Sequence, residues 1–434
     1  MAIDTGRMKI MYIVVVGLAY FANRWYRTPK IPDHLLHHPA VFVPGLIDEN
    51  IAEELLEMAK EMKEFPTNLN DLTFYDTVYE HIGEAQKIGD DGKCADSFLV
   101  PNKKGDLCVF PNRIDVARHF MMYGGVEGKK EKFEISASRL LSFGRYIFNA
   151  SAYPTVMALF ETQKFNDGAQ SICPAHKPVL DPFQFNFIIQ VPGQSVALHL
   201  DAVYFTHATR FEYPMWLLAV MAHSGLYQDE FIDQVQAVGY FHRWTDANRG
   251  GKFVYYLNNS LSAYHEEPLA RAGSFVDGSK VIHAATIYYP HRQPPIMDKS
   301  ADNKLVYQGA DKWTLTSNGN ALKTFKTDDL RMTIVYRARC FESEAKKEEF
   351  KRIRETKEGV KHVDEILEDL KKDLVARFGY TKAALEGLSR YQLGMLLLDV
   401  YIKYPLPPAG LIPVNYCLAD RLYPWLKPLI DKIC

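Results

Sequence analysis

A histidine and an aspartate, His199 and Asp201, stand two positions apart in the apolar segment 196–201 (VALHLD). On a β-strand, side chains i and i+2 project from the same face, so this imidazole and this carboxylate are predicted to point together. With a second imidazole from another strand they make a facial triad, which holds Fe(II) on one side and leaves the opposite coordination positions open. The segment is therefore a candidate iron site that needs one more histidine.

A second His-x-Asp triplet, His362-Val-Asp364, shows that the motif is weak by itself. Since the chain has 14 histidines, about one such triplet is expected by chance. This copy lies in the densely charged segment 346–378, whose pattern predicts a solvated helix. In a helix, side chains i and i+2 diverge, so His362 and Asp364 are not expected to bind one metal.

The third ligand is predicted at His283, which follows Asp201 by 283 − 201 = 82 residues. A Gly turn enters the strand-like segment 250–257 (GGKFVYYL). The segment 271–285 (RAGSFVDGSKVIHAA) then has the pattern of a strand, a Gly-Ser turn and a second strand that begins near His283. The gap is long enough for several strands to lie between the first two ligands and the third.

These motifs resemble those of the Fe(II)/2-oxoglutarate-dependent dioxygenases, in the prolyl-hydroxylase-like branch. The resemblance covers roughly residues 40–340, and its opening strand-to-helix segment is 41–50 (VFVPGLIDEN). The positions that match the family pattern are His199, Asp201, Gly250, Gly251, Gly273, Ser274, Gly278 and His283. The resemblance implies that His199, Asp201 and His283 are the catalytic metal ligands for Fe(II). It also implies that 2-oxoglutarate and O₂ are cosubstrates, and it allows ascorbate as a further cofactor.

The family also uses a basic residue on a late strand to hold the distal carboxylate of 2-oxoglutarate. Arg331 opens the β-type run 331–340, and Thr333 is two positions later, which matches the Arg-x-Ser/Thr arrangement of many relatives. An arginine offers a planar, bidentate fork for a carboxylate. Arg292 follows His283 by 292 − 283 = 9 residues but lies in a proline-rich turn, and Arg337 is the third choice. Arg331 with Thr333 is the predicted cofactor-binding pair.

The whole chain has the composition of a globular protein, with 434 residues, 47% hydrophobic, 24% charged and a net charge of −2. This balance gives no global field to attract nucleic acid, so no nucleic-acid partner is expected. Short strands at close spacing predict a β-sandwich or barrel, including the jelly roll. With the family resemblance, the predicted fold is α+β, with a double-stranded β-helix (jelly roll) core flanked by helices. The predicted domains are an apolar segment over 1–30, the dioxygenase domain over 31–341 with an insertion at about 294–329, and a helical extension over 342–434. A helical pattern is also predicted over 135–165.

The apolar run Ile10–Ala22 has 13 residues with basic residues on both sides. A spanning helix needs about 20 residues, so the run is short for that role. We interpret it as a membrane anchor or targeting segment, and a buried amino-terminal strand or helix is the alternative. The predicted location is membrane-associated, in the endoplasmic reticulum, with the cytoplasm as the alternative.

Six cysteines and two Asn-x-Ser triplets bear on the same question of compartment. Cys94 and Cys108 are close enough in sequence to form a disulfide if the domain is luminal, whereas a cytosolic chain would keep all six cysteines as free thiols. The triplets at Asn149 and Asn258 are glycosylation acceptors only in a secretory compartment.

The function that the resemblance implies is hydroxylation of an unactivated C–H bond in a peptidyl or small-molecule substrate. A carboxylate at Asp201 favours hydroxylation, because halogenases of the family lack that ligand, while desaturation and ring formation stay open. Two alternatives keep the fold: a catalytically inactive jelly-roll binding or scaffold protein, and a cupin-type metal enzyme that needs no 2-oxoglutarate.

Overall fold

A computed structural model describes residues 29–67, 86–90, 94, 96, 98–102, 106–259, 262–298, 301–407 and 414–434. The apolar run Ile10–Ala22 lies outside the described residues, so membrane attachment through it stays a prediction. Among the helices that are described, none combines the length and the apolar character needed to cross a bilayer.

The strands and helices are numbered in chain order. The strands are β1 (Ala40–Val43), β2 (Glu64–Pro66), β3 (Gln86–Lys87), β4 (Val100–Pro101), β5 (Leu107–Val109), β6 (Phe143–Ile147), β7 (Val179–Gln190), β8 (Val196–His199), β9 (Gln234–Tyr240), β10 (Phe253–Tyr255), β11 (Tyr264–Glu266), β12 (Gly273–Val276), β13 (His283–Ala285), β14 (Asn303–Tyr307), β15 (Trp313–Ser317), β16 (Asn320–Phe325) and β17 (Arg331–Phe341). The α-helices are α1 (Glu49–Met62), α2 (Ile114–Tyr123), α3 (Phe133–Arg139), α4 (Pro154–Phe160), α5 (Gln163–Gln170), α6 (Met215–Ser224), α7 (Glu344–Thr356), α8 (Val363–Phe378), α9 (Lys382–Glu386), α10 (Arg390–Tyr401), α11 (Ala419–Leu422) and α12 (Lys427–Ile433).

Two antiparallel sheets carry the predicted site residues. The large sheet has the order β1-β12-β9-β17-β7-β6, and the small sheet has the order β11-β10-β13-β8. Two further sheets, β16-β15-β14-β2 and β3-β5-β4, lie outside this pair. The prediction of a fold that mixes helices with antiparallel sheets is confirmed.

The long strands of the large sheet have one apolar and one polar face. On β17, Met332, Ile334 and Tyr336 belong to a hydrophobic core that α1, α4 and α5 complete. The alternate residues Arg331 and Thr333 are buried on the opposite face. Because side chains alternate along a strand, the same division on β7 and β9 gives the large sheet a buried polar face.

The small sheet buries its outer face against helices. Val254 and Ala284 pack there with α6, all of whose ten residues are buried. Helices α8 and α10 of the carboxy-terminal region pack into the same core. A helix that is apolar on all sides is stable only when it is surrounded in this way.

The predicted helix over 135–165 is wrong in its middle. The segment contains α3, then strand β6, then α4 and the start of α5. Strand β6 pairs with β7, and this pairing buries Phe143 and Ile147. The flanking helices give the segment an apparently continuous helical pattern, but pairing with β7 makes its middle a strand.

Three disulfides join all six cysteines: Cys94–Cys108, Cys173–Cys340 and Cys417–Cys434. The first is the pair that the sequence spacing predicts for a luminal chain. The alternative of six free thiols is not what the structure has.

Candidate metal centre and its arginines

The three predicted metal ligands converge on the inner face of the small sheet. His199 ends β8 and His283 begins β13, and the two stand directly opposite each other in the antiparallel pair. Asp201 follows two residues after His199, where its backbone N–H donates to the carbonyl of Gly278 at 2.8 Å. One ligand atom from each residue lies within 4.8 Å of the other two. Across the described residues, this is the one group of three or more His, Cys, Asp or Glu side chains with that geometry.

The distances within this triad suit a shared cation. Nε2 of His199 lies 3.6 Å from Oδ1 of Asp201, and Nε2 of His283 lies 3.8 Å from Oδ2. Gly278 makes room for the carboxylate, because a Cβ there would lie 2.2 Å from Oδ2. The glycine that carried part of the family resemblance therefore has a steric reason in this chain.

Backbone carbonyls set the tautomer of both histidines. Nδ1 of His199 lies 2.8 Å from the carbonyl of Ala197, and Nδ1 of His283 lies 2.8 Å from the carbonyl of Val281. Since a carbonyl only accepts, each Nδ1 is assigned the proton, and each Nε2 keeps a lone pair for a metal. Burial and the neighbouring His199 lower the pKa of His283 to about 4, so this ligand is neutral at pH 7.

The two oxygens of Asp201 have different surroundings. Oδ1 accepts from Nη2 of Arg337 at 2.6 Å, whereas the buried Oδ2 has no hydrogen-bond partner. Burial alone would raise the pKa of Asp201, but the ion pair with Arg337 outweighs it and holds that pKa well below its usual range. The carboxylate is thus charged, fixed on one side and free to accept a cation on the other.

Gln236 joins Arg337 to the other side of the triad. Its Oε1 accepts from Nε of Arg337 at 3.0 Å, and its Nε2 lies 3.4 Å from Nε2 of His283. Arg337, the third choice for the carboxylate clamp, instead contacts a predicted metal ligand, Asp201. Its spacing was informative nonetheless, since it lies six residues after Arg331 and so shares a strand face with it.

Arg331 is a buried cation without a carboxylate partner. Its side chain donates to Gln190 at 2.7 Å, and its guanidinium lies 5.0 Å from the ring of Tyr240. Its Nε has no hydrogen bond, and no ion pair with it is found among the residues that the structure describes. Gly251 gives it space, because a Cβ there would lie 2.9 Å from Cδ of Arg331. Burying an unpaired charge is costly, so this position favours an anionic ligand.

Thr333, the predicted partner of Arg331, and Arg292, the second choice for the clamp, have different surroundings from Arg331. Thr333 lies on the same face and is buried, with its hydroxyl donating to the carbonyl of Ile188 at 3.0 Å. Arg292 is exposed on a turn, and its guanidinium lies 4.4 Å from the ring of Tyr289. Solvent already stabilises the charge of Arg292, so it has less need of a ligand.

Unsatisfied polar atoms mark the same inner space. They are Oδ2 of Asp201 and Nε of Arg331, with Oε1 of Gln184, Nε2 of Gln190 and Oγ of Ser274 on the polar face of the large sheet. Other unpartnered buried polar atoms of the described residues lie elsewhere, such as Nε2 of His223, but a polar ligand in this inner space would give these five atoms partners.

A buried network that the sequence did not reveal holds the backbone between two ligands. Arg113 donates to the carbonyl of Leu200 at 2.8 Å and forms an ion pair with Asp115 at 3.0 Å. The hydroxyl of Tyr404 donates to Asp115 at 2.7 Å. Tyr404 lies 289 positions from Asp115, so no local pattern could connect them.

Among solved structures, the chain is similar to a Pseudomonas putida prolyl-4-hydroxylase, at 11% identity and a TM-score of 0.27, over 70% of this chain and 92% of that one. It is also similar to HygX from Streptomyces hygroscopicus with nickel and 2-oxoglutarate bound, at 8% identity and a TM-score of 0.30, over 70% and 83%. A third is the non-heme alpha-ketoglutarate-dependent epimerase SnoN from nogalamycin biosynthesis, at 10% identity and a TM-score of 0.27, over 70% and 78%. No family model and no curated protein matches the chain. At such identities and TM-scores, the likeness assigns no activity to this protein.

Proposed function

We propose that this chain is an Fe(II)- and 2-oxoglutarate-dependent dioxygenase that hydroxylates a C–H bond of a peptidyl or small-molecule substrate. One observation carries the proposal: the ligand atoms of a His-Asp-His triad lie within 4.8 Å of one another beside the small sheet, and the large sheet carries on its polar face a buried arginine with no ion pair among the described residues. A metal and a carboxylate ligand would satisfy these two sites together.

The chain's own residues have separate tasks in this proposal. Nε2 of His199, Nε2 of His283 and Oδ2 of Asp201 would hold the iron, and Arg337 would fix the carboxylate through Oδ1. Arg331 and Thr333 would bind the distal carboxylate of 2-oxoglutarate. When bound, iron and 2-oxoglutarate supply oxidative chemistry with O₂ that releases succinate and CO₂. The three ligands on one side leave the opposite side of the metal for these partners.

The two facing sheets support the finer prediction that the core is a jelly roll over residues 31–341, with the helical extension over 342–434 packed on it. Strands β14, β15 and β16 lie within the predicted insertion at about 294–329. Three disulfides favour an oxidising compartment such as the endoplasmic reticulum over the cytoplasm. Ascorbate as a cofactor belongs to this proposal as well.

Anaerobic binding of Fe(II) and 2-oxoglutarate, followed by succinate release in air, tests the proposal. We expect His199→Ala to lose metal binding and Arg331→Ala to keep metal binding while 2-oxoglutarate affinity falls at least tenfold. Arg339→Ala is the matched control, because this arginine lies on the same strand but pairs with Asp181. Metal binding without any 2-oxoglutarate dependence would favour a cupin-type enzyme. Failure to bind either ligand would leave a scaffold protein.

A further inference from the structure

The pairing of all six cysteines points to an oxidising compartment, independently of the metal site. The bond Cys173–Cys340 links the segment after α5 to β17 across 167 residues. Both of its cysteines are buried, at 7% and 1% exposure. Forming each bond removes two protons and two electrons, which a disulfide oxidant must accept, and such oxidants act in the secretory pathway rather than in the cytosol.

Asn149 is placed where a modifying enzyme could reach it. It follows the end of β6 by two residues and is exposed, and it precedes the short 3-10 helix Ala150–Ala152. The hydroxyl of Ser151 donates to Oδ1 of Asn149 at 2.6 Å. This bond joins the two residues that define the Asn-x-Ser acceptor, and it uses the side-chain oxygen rather than the amide nitrogen that would be modified.

A glycan at Asn149 would lie beside an exposed aromatic ring and the end of an edge strand. Strand β6 is the last strand of the large sheet, with Thr67 bridged to Phe143 at its start, and an edge strand is a template for pairing with another chain where it is not covered. Phe148, beside the acceptor, is 60% exposed. A glycan at Asn149 would cover this ring and obstruct the end of the edge strand.

The second triplet is less suited. Asn258 is partly buried, and its neighbour Asn259 exchanges two hydrogen bonds with the backbone of Ile31, at 2.7 and 3.0 Å. That segment is held against the domain, whereas Asn149 lies on an exposed turn.

We infer that Asn149 carries an N-linked glycan and that the folded domain resides in a secretory compartment. The donor would be a lipid diphosphate oligosaccharide. The bond between the anomeric carbon and the diphosphate oxygen breaks, a bond from that carbon to Nδ2 of Asn149 forms, and the amide gives up one proton as the lipid diphosphate leaves. The disulfides and the exposed acceptor carry this inference, and it does not depend on the proposed oxygenase activity.

The test is to express the full chain in cultured eukaryotic cells and to examine the purified protein by intact mass and glycopeptide mass spectrometry. We expect one glycan at Asn149, removed by a peptide amidase, lost in both Asn149→Gln and Ser151→Ala, and kept in Ser151→Thr. Asn166→Gln is the matched control, since Asn166 is exposed but belongs to no acceptor triplet, and it should leave the glycan in place.

Thiol alkylation of the same sample reports whether the cysteines are paired. Paired cysteines with an unmodified Asn149 would overturn the inference, because the chain would have met the oxidising compartment without modification. Free cysteines with an unmodified Asn149 would overturn it as well, because the chain would then not reside in that compartment.

Discussion

At the scale of single residues, the site is defined by which polar atoms have partners and which do not. Asp201 offers one oxygen to Arg337 and keeps the other free, and both histidines point Nε2 towards this carboxylate because Nδ1 donates to a backbone carbonyl. These contacts orient the ligands before any metal arrives. Partners of this kind around a metal site typically contribute tenfold or more to affinity.

Arg337→Lys should therefore weaken metal binding by about tenfold, because lysine keeps the charge but cannot contact both Asp201 and Gln236 through a planar fork. Anaerobic titration with Co(II), followed by its visible absorption, measures the affinity. Arg339→Lys on the same strand is the control and should leave it unchanged. Equal affinities in both variants and wild type would mean that Arg337 does not position Asp201.

Strand periodicity predicts that His199 and Asp201 point together, and the family resemblance adds His283 and Arg331. The sequence could not predict Arg113 or Tyr404, whose roles depend on contacts between distant segments. The sequence places Arg337 on the same strand face as Arg331, but it does not show that the carboxylate of Asp201 lies opposite Arg337.

At the scale of elements, alternation along β17 gives the site its chemistry. One face of the strand completes an apolar core, and the other presents Arg331, Thr333 and Arg337 to the inner space. A continuous run of β-branched and aromatic residues made this strand predictable. Strand β6 was not predictable in the same way, since only its pairing with β7 distinguishes it from the flanking helices.

The segment after α10 also reaches the metal centre, through Tyr404. Tyr404→Phe should lower the free energy of unfolding by about 1.5 kcal/mol, because it removes a hydrogen bond to a buried carboxylate. It should also weaken Co(II) binding severalfold, since Asp115 then holds Arg113 and the Leu200 carbonyl less firmly.

Tyr401→Phe separates these two effects. Tyr401 donates to Asp373 at 2.6 Å and is buried in α10, and Asp373 pairs with Arg377 rather than with Arg113. It should lose similar stability and keep full metal affinity. A loss of affinity equal to that of Tyr404→Phe would show that both changes act only through general stability.

At the scale of the whole molecule, buried histidines couple folding to pH. Burial lowers the pKa of His223 from its ordinary value of 6.5 to about 4, and Asp115 opposes this while His34 and Lys403 add to it. Between these values the unfolded chain binds a proton that the folded chain does not. The contribution to stability is therefore present above pH 6.5 and is lost as the pH falls towards 4.

His223→Leu should flatten this dependence. The free energy of unfolding should change by about 1.4 kcal/mol less per pH unit between pH 6 and 4.5 than in wild type. The substitution also removes the buried Nε2, which has no partner, so stability at pH 5 should not fall. Denaturant unfolding of the metal-free protein measures both quantities, with the exposed His265→Leu as control. If the free energy of unfolding of His223→Leu depended on pH as steeply as that of wild type, His223 would not be the source of this pH dependence.

The central claim is that one inner space holds a metal on the small sheet and a carboxylate on Arg331 of the large sheet. The most direct measurement is a crystal structure of the protein loaded anaerobically with Mn(II) and 2-oxoglutarate, with the metal located by anomalous scattering. The account predicts a metal bound by His199, Asp201 and His283, and a 2-oxoglutarate carboxylate within hydrogen-bond distance of Arg331. A metal bound elsewhere, or a 2-oxoglutarate that leaves Arg331 without an anion, would contradict it.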